Sequence, residues 1–394
     1  MEKHRTDNRI VLPLLLVIVF TMFLLLHDLF GGTLLNSSSY NSYTLQAMAW
    51  RSGSFGLGKD YPWLELAVYG GDWYVSFPPV PTLVMLPLTF LFGTRTPDHL
   101  VILGYALLMV VAAYLTLRKI GASERVSAFW AMFVALGSNM LWMCTEGSVW
   151  FMTQALNMVL CLFAIFCAVS KKRGLSMVFT ALAVGCRPFS ILLFLPLLVL
   201  FIEEDVSEGG KSLKNAVLSQ WKVLIGPALI GLAYMCFNYA RFRNPFEFGH
   251  SYLPEFNRGE PQFSVLFILR NLRNIFRPVT LGEDLSLSYS IYDGFLFFVA
   301  NPFFIILFTR LRKLRPYQWT ALAAMVLNLV LLLMHRTFGG WQFGARYTVD
   351  LLSYAFLICL PGLKKTPRNW ELFLGVFAVL FNLYGAVAMH FLYS

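Results

Sequence analysis

The sequence predicts an all-α, polytopic membrane protein of about eleven transmembrane helices, with its N-terminus in the cytoplasm and interfacial juxtamembrane helices in its first outer loop. Three observations carry that expectation. Of the 394 residues, 58% are hydrophobic and 13% are charged, and mean hydropathy is +0.64; soluble globules carry roughly 25% charged residues. Apolar runs recur along the whole chain, and at roughly 20 residues per span they fill one membrane domain over residues 1–394. The basic residues behind the net charge of +10 fall in short clusters between those runs. That is the positive-inside pattern, with attraction to anionic membrane lipids as a second use, and it argues against a nucleic-acid partner.

The clusters orient each span in turn. Lys3, Arg5 and Arg9 hold the N-terminus inside. The run Ile10 to Leu26 behind them lacks a small-residue cleavage site, so it reads as an uncleaved signal anchor. It delivers a first outer loop, residues 28–97, to the far side. Within that loop Thr82 to Phe92 covers about 16 Å at ~1.5 Å per residue, roughly half the hydrocarbon core, and is expected to lie along the interface.

Spans follow at Leu100 to Leu117, Ala128 to Met143 and Trp150 to Val169, with Arg118, Lys119, Arg125, Lys171, Lys172 and Arg173 at their inner ends. Arg187 and Pro188 interrupt Leu175 to Ile202. Only two crossings there keep Lys211, Lys214, Arg310, Arg312, Lys313, Arg315, Lys364, Lys365 and Arg368 cytoplasmic, which puts Arg187 at the outer face. Trp221 to Asn238 leads to a second large outer loop, residues 239–289. The remaining spans fall near Ile291 to Phe308, Trp319 to Leu333, Thr348 to Leu363 and Trp370 to Phe391, with His335 to Tyr347 as an outer turn.

In the second loop Arg270, Arg273 and Arg277 recur at helical spacing between Phe263 and Arg277, the pattern of an amphipathic helix on the outer leaflet. Arg241, Arg243 and Arg258 add to the positive charge of that loop. The 6 cysteines lack CxxC spacing and read as packing residues, not as a zinc site or a disulfide framework.

Acids collect on the outer side: Asp28, Asp60, Glu65, Asp72 and Asp98 in the first loop, Glu146 after the third span, and Glu247, Glu255, Glu260, Glu283, Asp284 and Asp293 in or beside the second loop. Tyr61, Pro62, Trp63, Tyr69, Trp73, Tyr74, Phe77, Pro78 and Pro79 surround Glu65 and Asp72. Such a segment can hold a carboxylate against an apolar wall, where desolvation raises its pKa and makes it a better base. An aromatic belt with surface acids accounts for the same residues.

The order of elements and several short motifs resemble the GT-C class of polyprenyl-phosphate-dependent glycosyltransferases, which includes protein mannosyltransferase-like and aminoarabinose transferase-like enzymes. Carrying the resemblance are the stretch from Gly71 to Pro79, which opens a short helix ending at Leu91, Phe92 and Gly93, and the helix ending at Leu117, Arg118 and Lys119. Arg187 and Pro188 between paired short helices, and Gly344, Ala345, Arg346, Tyr347 and Asp350 opening a late span, extend it.

The resemblance implies an enzyme of the cell membrane that moves a sugar, with inversion, from a polyprenyl-phosphate carrier to a glycan, lipid or protein acceptor at the outer face. An acid in the first outer loop would be the general base. Members of the class often place an Asp soon after the first helix, whereas Asn36, Ser37, Ser38, Ser39, Tyr40 and Asn41 stand there in this sequence. The role therefore passes to Glu65, with Asp60 and Asp72 behind it. Glu146 sits where some members carry a second acid that positions metal or substrate, and it reads equally as a capping charge.

Arg187 and Arg346 are the cations expected on the carrier phosphate, followed by Arg336 and His335, because a guanidinium clamps phosphate oxygens in pairs. Arg187 could instead snorkel beside Pro188, and Arg346 could pair with Asp350 at i+4. Trp341, Gln342 and Tyr347 are candidate contacts to sugar or prenyl chain. No His or Asp cluster has metal-ligand spacing, so no metal ligand is assigned and a divalent cation is left open as cofactor.

Two other classes fit parts of the pattern. A transporter or flippase for a lipid-linked or small solute would carry charges or Gly/Pro breaks at mid-span, whereas here polar residues gather at one face. A non-catalytic membrane subunit would suit the missing early Asp.

Overall fold

The computed structural model describes residues 10–256, 261–284, 286–311 and 313–391. Lys3, Arg5, Arg9, Arg258, Glu260 and Arg312 lie outside the described residues. A helix falls in every stretch read as a span. In chain order the elements are α1 (Val11–Leu29), α2 (Ser42–Arg51), β1 (Leu66–Tyr69), β2 (Asp72–Val75), α3 (Val80–Phe92), α4 (Asp98–Lys119), α5 (Glu124–Leu136), α6 (Met140–Met143), α7 (Val149–Val169), α8 (Arg173–Val184) and α9 (Phe194–Ser207). The rest are α10 (Leu213–Ser219), α11 (Trp221–Phe242), α12 (Ile268–Ile275), β3 (Thr280–Leu281), β4 (Leu287–Ser288), α13 (Phe297–Ala300), α14 (Phe303–Arg310), α15 (Pro316–Leu333), α16 (Leu352–Leu363) and α17 (Asn369–Phe391).

Among the described residues 6 helical segments are long and apolar enough to cross a membrane: α1, α4, α7, α10 with α11, α15 and α17. The protein is a multi-pass membrane protein. Its other expected spans coincide with shorter or interrupted helices. As expected, Leu175 to Ile202 forms two helices, α8 and α9, joined at Arg187 by a 3-10 turn over Pro188–Leu193. At their far ends Arg173 bridges Glu204 (3.1 Å) and Asp205 (2.8 Å) of α9. Helix α3 has 13 residues, about 20 Å of length against a hydrocarbon core of about 30 Å, which suits an interfacial position.

The all-α expectation needs one amendment, because the first outer loop contains a β-hairpin and the second a short two-stranded ribbon. Strands β1 and β2 pair antiparallel from Leu66 opposite Val75 to Tyr69 opposite Asp72. Gly70 and Gly71 between them have φ of 60° and 84°. A two-residue hairpin turn with both φ positive matches the twist of the strands, and glycine adopts it without steric cost. Leu66 and Val75 pack into the core, and Ala67 is buried as well.

The expected Phe263 to Arg277 helix is also shorter. A 3-10 turn at Val265–Phe267 leads into α12, which stops at Ile275. Arg277 precedes Pro278, whose ring disfavours helical backbone in the residue before it. The Arg277 side chain turns aside to pair with Asp293 at 2.7 Å.

Two spans are broken inside the bundle, at Gly137 to Asn139 between α5 and α6 and at Asn301 and Pro302 between α13 and α14. A broken helix frees backbone groups that have no water to bond inside a bilayer. Here the two breaks are bonded to each other. The Asn139 backbone N–H donates to Asn301 Oδ1 (3.0 Å), and Asn301 Nδ2 donates to Asn139 Oδ1 (2.7 Å). Asn139 Nδ2 then donates to the Phe343 carbonyl (2.6 Å), so the loop before α16 is tied to the same junction.

Candidate active site

The hairpin, the first turns of α7, the α8–α9 junction, the second outer loop and the segment after α15 enclose a cavity of about 470 Å³. That volume lies in the range of sites for small molecules, roughly 300–1,000 Å³. Glu65, Arg187, Trp341, Arg346 and Tyr347 all line it, together with aromatic residues that include Trp150, Phe151 and Phe189.

Glu65 stands immediately before β1. Its carbonyl accepts a hydrogen bond from Ser76 Oγ (2.9 Å), which closes the open end of the hairpin and fixes where the side chain leaves the backbone. Burial pushes the Glu65 carboxyl above the ordinary carboxylate range and the Glu255 charge adds to the rise, against a hydrogen bond from Trp150 and the Arg346 charge. The hairpin is itself held from the far side, where Arg241 Nη1 donates to the Val75 carbonyl (3.0 Å).

Arg187 leaves the chain at the start of the 3-10 turn and pairs with Asp350, Nη2 to Oδ2 at 2.7 Å. Arg346 does not pair with Asp350, the alternative considered from sequence. Its Nε donates to the Gly339 carbonyl (2.8 Å), its Nη2 reaches the same oxygen, and its Nη1 donates to Gln154 Oε1 (2.9 Å). Both guanidiniums face the Tyr347 ring, at 4.9 Å for Arg187 and 5.2 Å for Arg346.

Two histidines share the cavity with centroids 6.0 Å apart, His250 and His335. Burial lowers them to about 4 and about 3, helped by Arg187 at both. Both imidazoles are therefore neutral at pH 7. The Thr337 N–H lies 3.3 Å from His335 Nδ1, and the Gln262 side-chain amide nitrogen lies 3.3 Å from Nε2.

The remaining sequence candidates lie outside the lining. Asp60 is exposed on the loop before the hairpin. Asp72 fastens the hairpin turn to the preceding loop, since its Oδ1 accepts from the Gly58 N–H (3.0 Å) and the Trp73 N–H (2.7 Å). Asp72→Asn is expected to lower stability by about 1 kcal/mol and to leave turnover near wild type, checked by thermal unfolding beside an activity assay.

Glu146 accepts from Ser148 Oγ and lies near Asp98 and His99, where burial raises its pKa. Gln342 is fully buried behind the loop and accepts the Arg346 N–H (2.9 Å). Arg336 donates to the Glu255 carbonyl (3.0 Å) and so ties two outer segments together. Among the described residues no three His, Cys, Asp or Glu side chains converge as a metal-binding group.

Sequence reasoning gave no role to Gln154, and it counted Glu247, Glu255 and His250 among ordinary loop residues or passed them over. Gln154 and its partner Arg346 are 192 residues apart, and no local spacing signals such a contact.

No protein-family model matches the sequence, and no curated protein sequence does. Solved structures do. ArnT from Cupriavidus metallidurans bound to undecaprenyl phosphate superposes with a TM-score of 0.56 at 15% identity, over 95% of this chain and 63% of that one. The Archaeoglobus fulgidus oligosaccharyltransferase tethered with an acceptor peptide gives 0.53 at 13% identity, over 98% and 56%. The Archaeoglobus fulgidus oligosaccharyltransferase AglB in complex with an inhibitory peptide and a dolichol-phosphate gives 0.51 at 14%, over 97% and 55%. This chain thus spans less than two thirds of the length of each. What they share with it is the fold.

Proposed function

We propose that the protein is an integral membrane glycosyltransferase that moves a sugar from a polyprenyl-phosphate carrier to a glycan, lipid or protein acceptor, with inversion. The single observation that carries this reading is the convergence of one desolvated carboxylate, Glu65, and two guanidiniums, Arg187 and Arg346, in one aromatic-walled cavity. Glu65 takes the proton of the acceptor hydroxyl as its oxygen bonds to the anomeric carbon. The bond from that carbon to the carrier phosphate oxygen breaks, and the electron pair leaves with the phosphate. The guanidinium charge stabilises the developing anion where little water competes.

The undecaprenyl phosphate of the ArnT structure and the dolichol-phosphate of the AglB complex support a lipid phosphate as donor. By the basic-flank rule the N-terminus is cytoplasmic, the roughly eleven spans form one membrane domain, and the cavity opens on the non-cytoplasmic face.

The test is transfer of label from a panel of radiolabelled undecaprenyl-phosphate sugars to acceptors in a membrane extract, using the purified chain in liposomes. Label should leave the lipid donor with at least one sugar. Accumulation of intact donor or solute across the liposome, with no transfer, would favour the transporter reading.

The same assay carries a pH prediction. Glu65 acts as a base when ionised, and its pKa is raised. The rate should therefore fall as pH drops, with a midpoint above the ~4.3 of an ordinary glutamate. A rate that stays flat down to that value would remove Glu65 from the role.

A further inference from the structure

Two positive charges face one ring inside a cavity, and such an arrangement needs something to hold it. Asp350 and Gln154 do so. Asp350 Oδ2 accepts from both Arg187 Nε (2.8 Å) and Arg187 Nη2 (2.7 Å). Gln154 Nε2 donates to Asp350 Oδ1 (3.3 Å), while Gln154 Oε1 accepts from Arg346 Nη1 (2.9 Å). Gln154 is fully buried and Asp350 is 8% exposed. The chain of contacts joins α7, the α8–α9 junction and the turn that opens α16.

A count of donors separates the two arginines. Arg346 commits Nε and Nη2 to the Gly339 carbonyl and Nη1 to Gln154, so each of its three nitrogens is bonded to protein. Arg187 is held by carboxylate along its Nε–Nη2 edge, and the rest of the group faces the cavity it lines beside Tyr347, whose side chain is also a hydrogen-bonding neighbour. A carboxylate beside a phosphate site weakens the attraction for an anion. Its contribution is direction, because a guanidinium bound on one edge can turn only its other edge to a ligand.

We propose that Asp350 and Gln154 are positioning residues, which fix one edge of Arg187 and tie it to Arg346 so that its other edge meets a phosphate in the cavity. The inference rests on the carrier-phosphate reading given above and adds to it the residues that aim the cation.

A double-mutant cycle on the full chain in detergent tests it, with undecaprenyl phosphate as probe, binding followed by tryptophan fluorescence, and thermal unfolding recorded in parallel. Arg187→Gln is expected to weaken binding by about 10- to 100-fold, the range for losing a charged hydrogen-bonding partner. Asp350→Asn and Gln154→Leu should each weaken it by about tenfold, and Asp350→Glu should restore part of the loss. Asp350→Asn added to Arg187→Gln should cost no further binding, while raising the unfolding temperature by neutralising a buried carboxylate left without its partner.

Equal losses from Asp350→Asn in both backgrounds would mean a purely structural role and overturn the proposal. So would tighter binding by Asp350→Asn, the behaviour of a carboxylate that acts by charge alone. Absence of binding by the wild-type chain is a separate outcome, which overturns the carrier reading and this inference together.

Discussion

Glu65→Gln is expected to lower the transfer rate by about 10²- to 10⁴-fold, the usual contribution of a positioned general base. Gln is nearly isosteric with the protonated acid, so binding of a lipid phosphate should persist and the loss should fall on kcat. The stability of the variant supplies an internal control whose sign is fixed by the raised pKa. A carboxyl with a folded pKa above its unfolded value stabilises the fold while protonated, at pH below the unfolded pKa. That contribution is lost as pH rises through the folded value. The glutamine variant keeps the neutral form at every pH, so at neutral pH its unfolding temperature should match or exceed wild type. Full activity in Glu65→Gln would sink the assignment, and Asp60 and Asp72, both away from the cavity lining, would be poor replacements.

Arg346→Met has the second large effect, and it falls on folding. The substitution keeps an unbranched side chain but strips both bonds from the Gly339 carbonyl and leaves Gln154 Oε1 unmet. Each buried acceptor left unsatisfied costs about 1–3 kcal/mol, so a loss of about 3 kcal/mol is expected. The segment from Gly339 to Arg346 would lose its main fastening, including the Gly339 backbone at φ 107°. Thermal unfolding in detergent should show the drop, and Arg346→Lys, which cannot fork to one carbonyl and an amide together, should recover little of it. A variant as stable as wild type would return Arg346 to the role of a free phosphate ligand.

The positions of the helices were legible because a bilayer imposes a simple requirement. Every spanning segment must be apolar and must satisfy its own backbone, so apolar runs and their basic flanks mark most of the architecture. The hairpin was also written in the sequence. Leu66 to Tyr69 and Asp72 to Val75 are mostly β-branched, aromatic or aliphatic residues around Gly70 and Gly71, a hairpin signal that the surrounding helical pattern obscures. The breaks at Gly137 to Asn139 and at Asn301 and Pro302 were harder to read, because each is made tolerable by a residue from a distant span.

The candidate site divides along the same line. Glu65, Arg187, Trp341, Arg346 and Tyr347 were singled out with the family resemblance as guide, and the fold places them around one cavity. The wrong partner for Asp350 has a geometric cause. Pairing at i+4 presumes an α-helix, but Arg346–Leu351 is a 3-10 turn. With about three residues per turn, position i+4 lies roughly a third of a turn away from position i. Asp350 is thereby rotated off Arg346 and toward Arg187, a residue 163 positions earlier that no local pattern could name.

The amide pair that joins the two broken spans bears on how the chain is made. Asn139 and Asn301 are 162 residues apart, so during synthesis the first break enters the membrane long before its partner exists. Until the later span arrives, the Asn139 N–H lacks the partner that it has in the finished fold. Closure of the junction by the Asn301 amide therefore has to wait for the later span to be made. Because Asn139 also holds the Phe343 carbonyl, that event sets the base of the loop that carries Arg346 and Tyr347.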